Sequence, residues 1–402
     1  MAPKKLAVTS KTLQSLLTRI GSASSGTKNT LFARFQRDVL RPGFPHVQLG
    51  PGKHQPGDPG QKLRIMSIDM GIKNLAFCDA EISHAALGTG KRQGFDTHMN
   101  VLRWKKLDLM NSTYSNGGGP PQELQEAADA LDADLDAFSP SVLSKTAFHL
   151  ITKEVLSASP DIILIEKQRW RSGGGSAVQQ WTLRVNTLEA MLWAVLETLK
   201  QSRAPHRDQA APIAHHAYLV HAVDPKRVGQ YWLGQQARAV LAHDAVQAHD
   251  LAPDSDPDPD LPPATPPKQP SRSKAEKSAK IAILRSWLAH DPMSTRPSTP
   301  HSMPRISFTI DAGAASTLAA LLPKGKAVRR KKAPKGAESA GDVPSAAEIT
   351  KLDDVTDCFL QAAAWVAWEA NRRQLLAVSG EEGAGAGVGE EAILSMVEWC
   401  GE

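Results

Sequence analysis

The sequence predicts a mixed α/β fold, in which one sheet is flanked by helices and a small helical motif precedes it. Three observations support this prediction. Apolar segments with strand character alternate with segments of helical periodicity, turn-like residues separate them, and the connections are long enough for parallel strands to pair. The 402 residues allow two or three domains.

The predicted strands form two groups. Three consecutive segments begin at Arg64 and have the sequences RIMSIDMG, NLAFCDAEI and VLRWKKLDL. The short run DIILI at 161–165 is rich in β-branched residues and is interpreted as a buried strand. Residues 217–223 are a further strand candidate.

Three helices are predicted between and after these strands. Residues 139–158 show helical spacing, with Ser139 and Pro140 in the N-cap and first-turn positions. A long helix is predicted over 176–201, and the last runs from about 352 to 375.

Other segments cannot form a core. The 28 Pro and 29 Gly are too many for regular elements, so part of the chain is linker or insert. We expect an N-terminal motif at 1–45, a linker at 46–62, a main domain at 63–375 with disordered inserts near 251–275 and 323–348, and a flexible tail at 376–402.

Composition excludes several classes of protein. The three cysteines lie far apart without a CxxC pair, which excludes a disulfide scaffold and a cysteine-based zinc site. No apolar run reaches the roughly 20 residues that span a bilayer, so we expect a soluble intracellular protein with no membrane partner. Residues 1–37 contain no Asp or Glu, which is typical of a mitochondrial transit peptide and equally of a nucleic-acid-binding arm.

Two acids end predicted strands. Asp69 follows an apolar strand and precedes Gly71, a pattern that a β-turn alone would explain. Glu166 closes DIILI, and because an unpaired buried carboxylate is costly, it is either salt-bridged or a ligand.

A third acidic group, Asp353, Asp354 and Asp357, opens the last predicted helix. The helix dipole alone would favour acids in a first turn. However, spacings of three and four residues put these carboxylates on one face, which repels itself unless a cation lies among them.

Taken together, the three groups predict an all-oxygen site of the kind that selects Mg²⁺ or Mn²⁺. Two such ions can activate a water and stabilise the leaving oxygen of a phosphodiester. Neighbouring Lys and Arg side chains would hold phosphates. The chemistry predicted is metal-dependent hydrolysis of nucleic acid.

Five motifs, SIDMGIKNLAF, ILIEKQRWRSG, VDPKRV, KAEKSAKI and KLDDVTDCFLQAAAW, resemble those of the fungal mitochondrial Holliday junction resolvases. That resemblance covers roughly residues 63–375 without the inserts. It implies a RuvC-like, RNase H-type fold and a Mg²⁺-dependent endonuclease, for which Mn²⁺ can substitute. It further implies four-way DNA junctions as substrate, cut by paired symmetric nicks, and a location in the mitochondrial matrix rather than the nucleus. Since a two-fold substrate calls for a two-fold protein, we expect a homodimer. Apart from the metal ion, we expect no small-molecule substrate or cofactor.

Carried over to this chain, the resemblance implies catalytic roles for Asp69, Glu166 and the cluster Asp353, Asp354 and Asp357. Asp357 is the first choice as a metal ligand, and Asp354 matches the Asp-x-x-Asp spacing of RuvC-like nucleases, so the predicted metal set is Asp69, Glu166, Asp354 and Asp357. The predicted DNA-binding residues are Lys28, Lys73, Lys167, Arg169 and Arg171.

The N-terminal segment resembles a SAP motif, which is two short helices around a Gly-containing turn that bind DNA. Thr27 is placed to cap the second helix, and Lys28 would face a phosphate there. The alternative is a transit peptide with a coincidental Gly and Lys.

Three other functions compete with this prediction. An actin-like ATPase should show a second Asp-x-Gly phosphate loop, and the later half of the chain has none. A non-catalytic SAP-type DNA-binding protein would not need carboxylates in three separate motifs. Another nuclease of the RNase H fold remains as the third alternative.

Overall fold

The computed structural model describes residues 8–43, 62–84, 97–110, 138–168, 180–202, 218–234, 272–289, 306–322, 351–379 and 388–400. Almost all of the predicted linker lies outside these ranges, as do residues 251–271 and 323–348 of the predicted inserts. Arg169 and Arg171 also lie outside the described residues.

Among the described residues, six strands form one sheet in the order β5-β4-β1-β2-β3-β6. Strands β1, β2 and β3 are antiparallel neighbours, whereas β4 runs parallel to β1 and β5 parallel to β4. This arrangement confirms the predicted mixed sheet, and the order of its first five strands matches an RNase H-type fold. The strands are β1 (Lys62–Asp69), β2 (Leu75–His84), β3 (Thr97–Leu107), β4 (Ile162–Glu166), β5 (Leu219–Val223) and β6 (Ile306–Ile310).

Helices cover both faces of the sheet. The predicted helix at 139–158 begins as an α-helix, continues as a π-helical turn, Leu150–Val155, and ends in a short 3-10 turn, Leu156–Ala158. The helices are α1 (Ser10–Arg19), α2 (Lys28–Leu40), α3 (Pro140–His149), α4 (Gln180–Ser202), α5 (225–234), α6 (Arg272–Leu288), α7 (Ala315–Leu321), α8 (Leu352–Ser379) and α9 (Glu390–Cys400). None of the described helices is long and apolar enough to cross a membrane.

Alternation along β1 separates two cores. Ile65 packs in the core under α8 with Phe359. Met66 and Ile68 belong to the opposite core, which α3 and α4 cover. Because side chains alternate between the faces of a strand, Ser67 and Asp69 lie on the α8 face with Ile65.

Strand β6 and helix α9 were not predicted. The β6 segment pairs parallel with β3, from Thr97↔Ile306 to Val101↔Ile310, and follows a Pro- and Ser-rich stretch. A five-residue edge strand gives a weak sequence signal because its stability comes from its partner strand.

The prediction of a flexible tail at 376–402 is wrong for most of the described part. Helix α8 continues to Ser379, and α9 buries Ile393, Met396, Val397 and Cys400 at helical spacing. These side chains pack with the buried residues of α1 and α2 and with Leu375 of α8. The N-terminal helices therefore form one core with the C-terminal end of the described chain.

Candidate active site

Asp69 and Glu166 lie side by side at the ends of neighbouring parallel strands. The last register pair of β1 and β4 is Ile68↔Ile165, so the next residue on each strand is one of the two acids. The carboxyl group of Glu166 lies close enough to Asp69 to help raise the pKa of Asp69. Glu166 also accepts hydrogen bonds at its Oε2 from the Met70 backbone N–H at 3.3 Å and from Gln168 Nε2 at 3.1 Å.

The turn after Asp69 requires Gly71. A Cβ on this residue would lie 2.9 Å from the carbonyl oxygen of Asn74, too close for any side chain. The Asp-x-Gly pattern in the sequence therefore has a local structural cause, and the turn directs the Met70 N–H towards Glu166.

Helix α8 carries the third group of acids to the same edge of the sheet. Two fully buried side chains, Val355 and Phe359, pack the first turns of α8 against the core. Trp104 Nε1 also donates a hydrogen bond to the Val355 carbonyl at 2.9 Å. Asp357 lies close enough to Asp69 for its charge to act on that carboxyl group.

Each acid of the α8 cluster is paired with a lysine. Lys280 Nζ donates to Asp357 Oδ1 at 3.0 Å, and Lys106 Nζ lies 3.2 Å from Asp354 Oδ2. Lys277 Nζ donates to Asp353 Oδ2 at 2.5 Å. These lysine roles were not predicted, although Lys277 and Lys280 belong to the KAEKSAKI motif and their three-residue spacing places them on one helix face.

Burial and mutual repulsion disfavour charge on most of these acids. Burial, followed by the hydrogen bond and charge of Glu166, raises the pKa of Asp69 well above its usual range. Burial raises the pKa of Asp357 despite Lys280, and burial and the Asp353 charge raise the pKa of Asp354. For Asp353, burial is outweighed by the hydrogen bond and charge of Lys277, and its pKa is lowered.

The oxygen-only donor set fits a hard divalent cation. Asp69, Glu166 and Asp357 are carboxylates that repel one another at the edge of the sheet, and a cation among them would relieve that repulsion. Within the described ranges, no group of three or more His, Cys, Asp or Glu side chains is gathered as a ready-made metal cage. The fit therefore rests on donor chemistry and on the electrostatics of the three acids.

The predicted residues thus divide into groups. Asp69, Glu166 and Asp357 converge, while Asp353 and Asp354 lie beside them in the first turn of α8. Lys73, in the turn after β1, and Lys167, directly after β4, are exposed near the acids, and Lys28 is exposed at the start of α2. A residue missed by the sequence analysis is Glu189 of α4, which accepts a hydrogen bond from the Gln168 N–H at 3.1 Å and whose pKa is raised, first by burial and then by the Glu166 charge.

The N-terminal helices dock against α8. The predicted cap is confirmed: Thr27 Oγ1 accepts from the Thr30 N–H at 3.4 Å. Gly21, at φ +70, lies so close to the indole of Trp368 that a Cβ would sit 2.2 Å from it. Asn371 Nδ2 donates to the Arg19 carbonyl at 2.8 Å.

A cavity of about 320 Å³ lies where the α1–α2 hairpin, the end of β5 and α8 meet. Arg41 and Arg227 line it, together with His221 and Trp365, whose rings are in tilted contact with their centroids 4.6 Å apart. None of the carboxylates predicted to be catalytic lines it, so this cavity is distinct from the acidic site.

The sheet order and the strand-end acids define a protein of RNase H-like fold with a carboxylate site at its edge. A family model described as mitochondrial resolvase Ydc2 / RNA splicing MRS1 matches residues 65–375. The match covers well over half of the sequence, and the chain belongs to this family.

Two curated relatives are both named "Cruciform cutting endonuclease 1, mitochondrial". The Schizosaccharomyces pombe protein is 29% identical over 169 residues, which are 42% of this chain and 52% of the relative. The Saccharomyces cerevisiae protein is 27% identical over 175 residues, 43% of each chain. The chain thus spans about half the length of the curated relatives it matches. A crystal structure of the yeast mitochondrial Holliday junction resolvase Ydc2 shares 19% identity, with a TM-score of 0.45, covering 91% of this chain and 95% of that one.

Proposed function

We propose that this chain is a divalent-metal-dependent endonuclease that resolves four-way DNA junctions by paired symmetric nicks. The observation that carries the proposal is the convergence of Asp69, Glu166 and Asp357 from two strands and a helix onto one edge of the sheet, where Asp69 is buried and the other two are half-buried. The names of the two relatives, which describe cruciform cutting, support a branched DNA substrate.

The family description also names RNA splicing, so membership alone leaves a non-catalytic nucleic-acid-binding role open. The acids favour the nuclease. Burying repelling carboxylates is costly, and a protein that only binds nucleic acid gains nothing from that cost. A non-catalytic SAP-type protein remains the second candidate because the family description names RNA splicing as well.

In the proposed site, Asp69, Glu166 and Asp357 hold divalent metal, with Asp354 as the fourth candidate ligand. Mg²⁺ is the proposed ion, and Mn²⁺ can substitute. When bound, a pair of such ions activates the attacking water and stabilises the leaving oxygen of the phosphodiester.

The chain's own groups prepare this site. The Met70 N–H and Gln168 orient Glu166 through its Oε2. Lys280 and Lys106 hold Asp357 and Asp354 against repulsion. The buried position of Asp69, only 8% exposed, excludes bulk water from one side of the carboxylate cluster.

The proposed DNA path passes over the same edge of the sheet. Lys73 and Lys167 flank the acids, and Arg169 and Arg171 follow Lys167 in the sequence. Because β5 is parallel to β4, its carboxyl end lies at the active-site edge, and Arg227 follows it there. Arg227 donates to the Gly21 carbonyl at 3.3 Å, which links this edge to the SAP-like hairpin that carries Lys28.

A homodimer is proposed because two equivalent nicks on a two-fold junction require two related sites. A mitochondrial location, in the matrix, is proposed from the names of both relatives and the acid-free N-terminal segment.

The test is to incubate the purified chain and Mg²⁺ with a mobile four-way junction, linear duplex, single-stranded DNA and a structured RNA. We expect nicks at paired positions in the junction alone. Asp69→Asn and Glu166→Gln should abolish nicking but leave junction binding largely intact, while Glu81→Gln, a surface acid paired with Lys62, serves as the matched control. Tight binding of RNA without any cutting would instead support the non-catalytic candidate.

A further inference from the structure

Gln361 is a buried amide directly beneath the carboxylate site. It lies on α8 one turn after Asp357, so both residues occupy the same face of the helix. Its side chain is buried, and the amide nitrogen contacts three acceptors in two neighbouring strands.

The acceptors belong to the strands that carry the other two acids. Gln361 Nε2 donates to Ser67 Oγ at 3.0 Å and to the Ile68 carbonyl at 3.2 Å, both in β1. It also lies 3.5 Å from the Leu164 carbonyl in β4. The two amide hydrogens are therefore shared between adjoining strands.

The register gives these contacts a defined place. Ser67 and Leu164 are a register pair of β1 and β4, and Asp69 and Glu166 each follow two residues later on their own strand. Two residues along a strand return to the same face. Gln361 thus binds the sheet one level below the two strand acids, while Asp357, one helical turn away, faces them.

We infer that Gln361 is a positioning residue, which locks β1, β4 and α8 in the relative arrangement that brings the three acids to bear on one metal site. The inference rests on the proposed function. Apolar packing alone allows a helix to slide over a sheet by fractions of an ångström. A directional hydrogen bond to both strands resists that movement and opposes the repulsion among the acids.

The experiment replaces Gln361 by Met in the full chain, which conserves volume and removes the donor. Mn²⁺ binding to the DNA-free protein is measured by calorimetry, and junction nicking is measured across a Mg²⁺ titration. We expect the affinity for Mn²⁺ and the apparent affinity for Mg²⁺ in the nicking reaction to fall by about 10- to 100-fold each, as for other residues that orient metal ligands. Junction affinity in metal-free buffer should remain unchanged.

Tyr218→Phe is the matched control, because it removes one buried hydrogen bond, from the Tyr218 hydroxyl to the Leu196 carbonyl at 2.7 Å, in the opposite core. It should lower the melting temperature without changing Mn²⁺ affinity. Gln361→Asn keeps the amide but shortens it by one methylene, and it serves if the Met variant does not fold.

Wild-type metal affinity in folded Gln361→Met and Gln361→Asn would overturn the inference, even if their melting temperatures fall. If the unaltered chain binds Mn²⁺ but cuts no junction, the proposed function fails. The Mn²⁺ measurement would still decide the role of Gln361, so the two failures are distinguishable.

Discussion

Asp357 is the residue on which the acidic site of α8 depends. The charge of Asp357 helps raise the pKa of Asp69, and the charge of Glu166 helps raise the pKa of Asp357. Lys280, which is paired with Asp357, is only 8% exposed. We expect Asp357→Asn to abolish nicking at every Mg²⁺ concentration, because a neutral amide is a poor ligand for a hard cation. Nicking rates across a Mg²⁺ titration test this, and an active Asp357→Asn protein would remove α8 from the catalytic site.

The two other acids of the cluster should differ in severity. The charge of Asp354 acts on Asp69, whereas Asp353 is held by Lys277, and its pKa is lowered. Asp354→Asn should therefore raise the Mg²⁺ requirement, while Asp353→Asn should lose stability by about 1 kcal/mol or less, as expected for a half-exposed ion pair. Parallel Mg²⁺ titrations and thermal melts separate the effects, and equal Mg²⁺ requirements in both variants would contradict this division.

At the scale of the element, the contact between the α1–α2 hairpin and α8 depends on a glycine. Gly21 combines a left-handed backbone with contact to Trp368, so Gly21→Ala is strained in both respects. We expect a loss of about 1–3 kcal/mol in the free energy of unfolding. Junction affinity should fall, and the nicking rate of bound junction should be retained.

Urea denaturation and junction binding at several salt concentrations measure these effects. Ser22→Ala, at the neighbouring position, is the control. An unchanged junction affinity in a Gly21→Ala protein with a weakened hairpin contact would show that the hairpin does not bind DNA.

The elements that could be predicted are those whose stability has a local signal in the sequence. Strands β1 and β4 have apolar runs that end in acids. Helix α8 has both an apolar stripe and an acidic start. The sequence therefore predicts these elements and the acids they carry. Strand β6 and helix α9 are stabilised by partners distant in sequence, β3 for one and α1 and α2 for the other. The lysine partners and Gln361 likewise depend on tertiary contacts, which no local spacing reveals.

For the whole molecule, the hairpin cannot be treated as a detachable module. Buried leucines of α1 and α2 cover Leu375, Ile393 and Met396 near the other end of the chain. Removing residues 1–45 would expose these apolar side chains and so confuse instability with lost DNA binding. A charge substitution tests DNA binding without this complication.

Lys28→Gln is that substitution, because Lys28 is exposed at the first position of α2. If it contacts a phosphate, the slope of log affinity against log salt should fall by about 1, with a similar loss for junctions of different sequence. Lys145→Gln, at an exposed position of α3, is the control for net charge. An unchanged slope would support the transit-peptide alternative for this segment.

A buried charge also joins α8 to the segment just after α2, and this makes the stability of the molecule dependent on pH. Glu369 of α8 accepts hydrogen bonds from Arg372 and Arg373, and from the Gly43 N–H at 2.9 Å. Burial opposes its ionisation, but the hydrogen bonds and charges of the two arginines outweigh burial and lower its pKa.

Because the pKa of Glu369 is lower in the folded chain than in the unfolded chain, its contribution to stability is present above the ordinary glutamate pKa of 4.5 and is lost as the pH falls through the folded value. Glu369→Gln should cost about 3–5 kcal/mol at neutral pH, since it leaves partly buried arginines without their partner. Urea denaturation between about pH 3 and 7 measures the free energy of unfolding, which should fall less steeply towards low pH in Glu369→Gln than in the unaltered chain. Glu81→Gln, which breaks a surface pair with Lys62, should leave this pH dependence nearly unchanged. If the free energy of unfolding falls equally steeply in Glu369→Gln and the unaltered chain, the link between Gly43 and α8 does not depend on this charge.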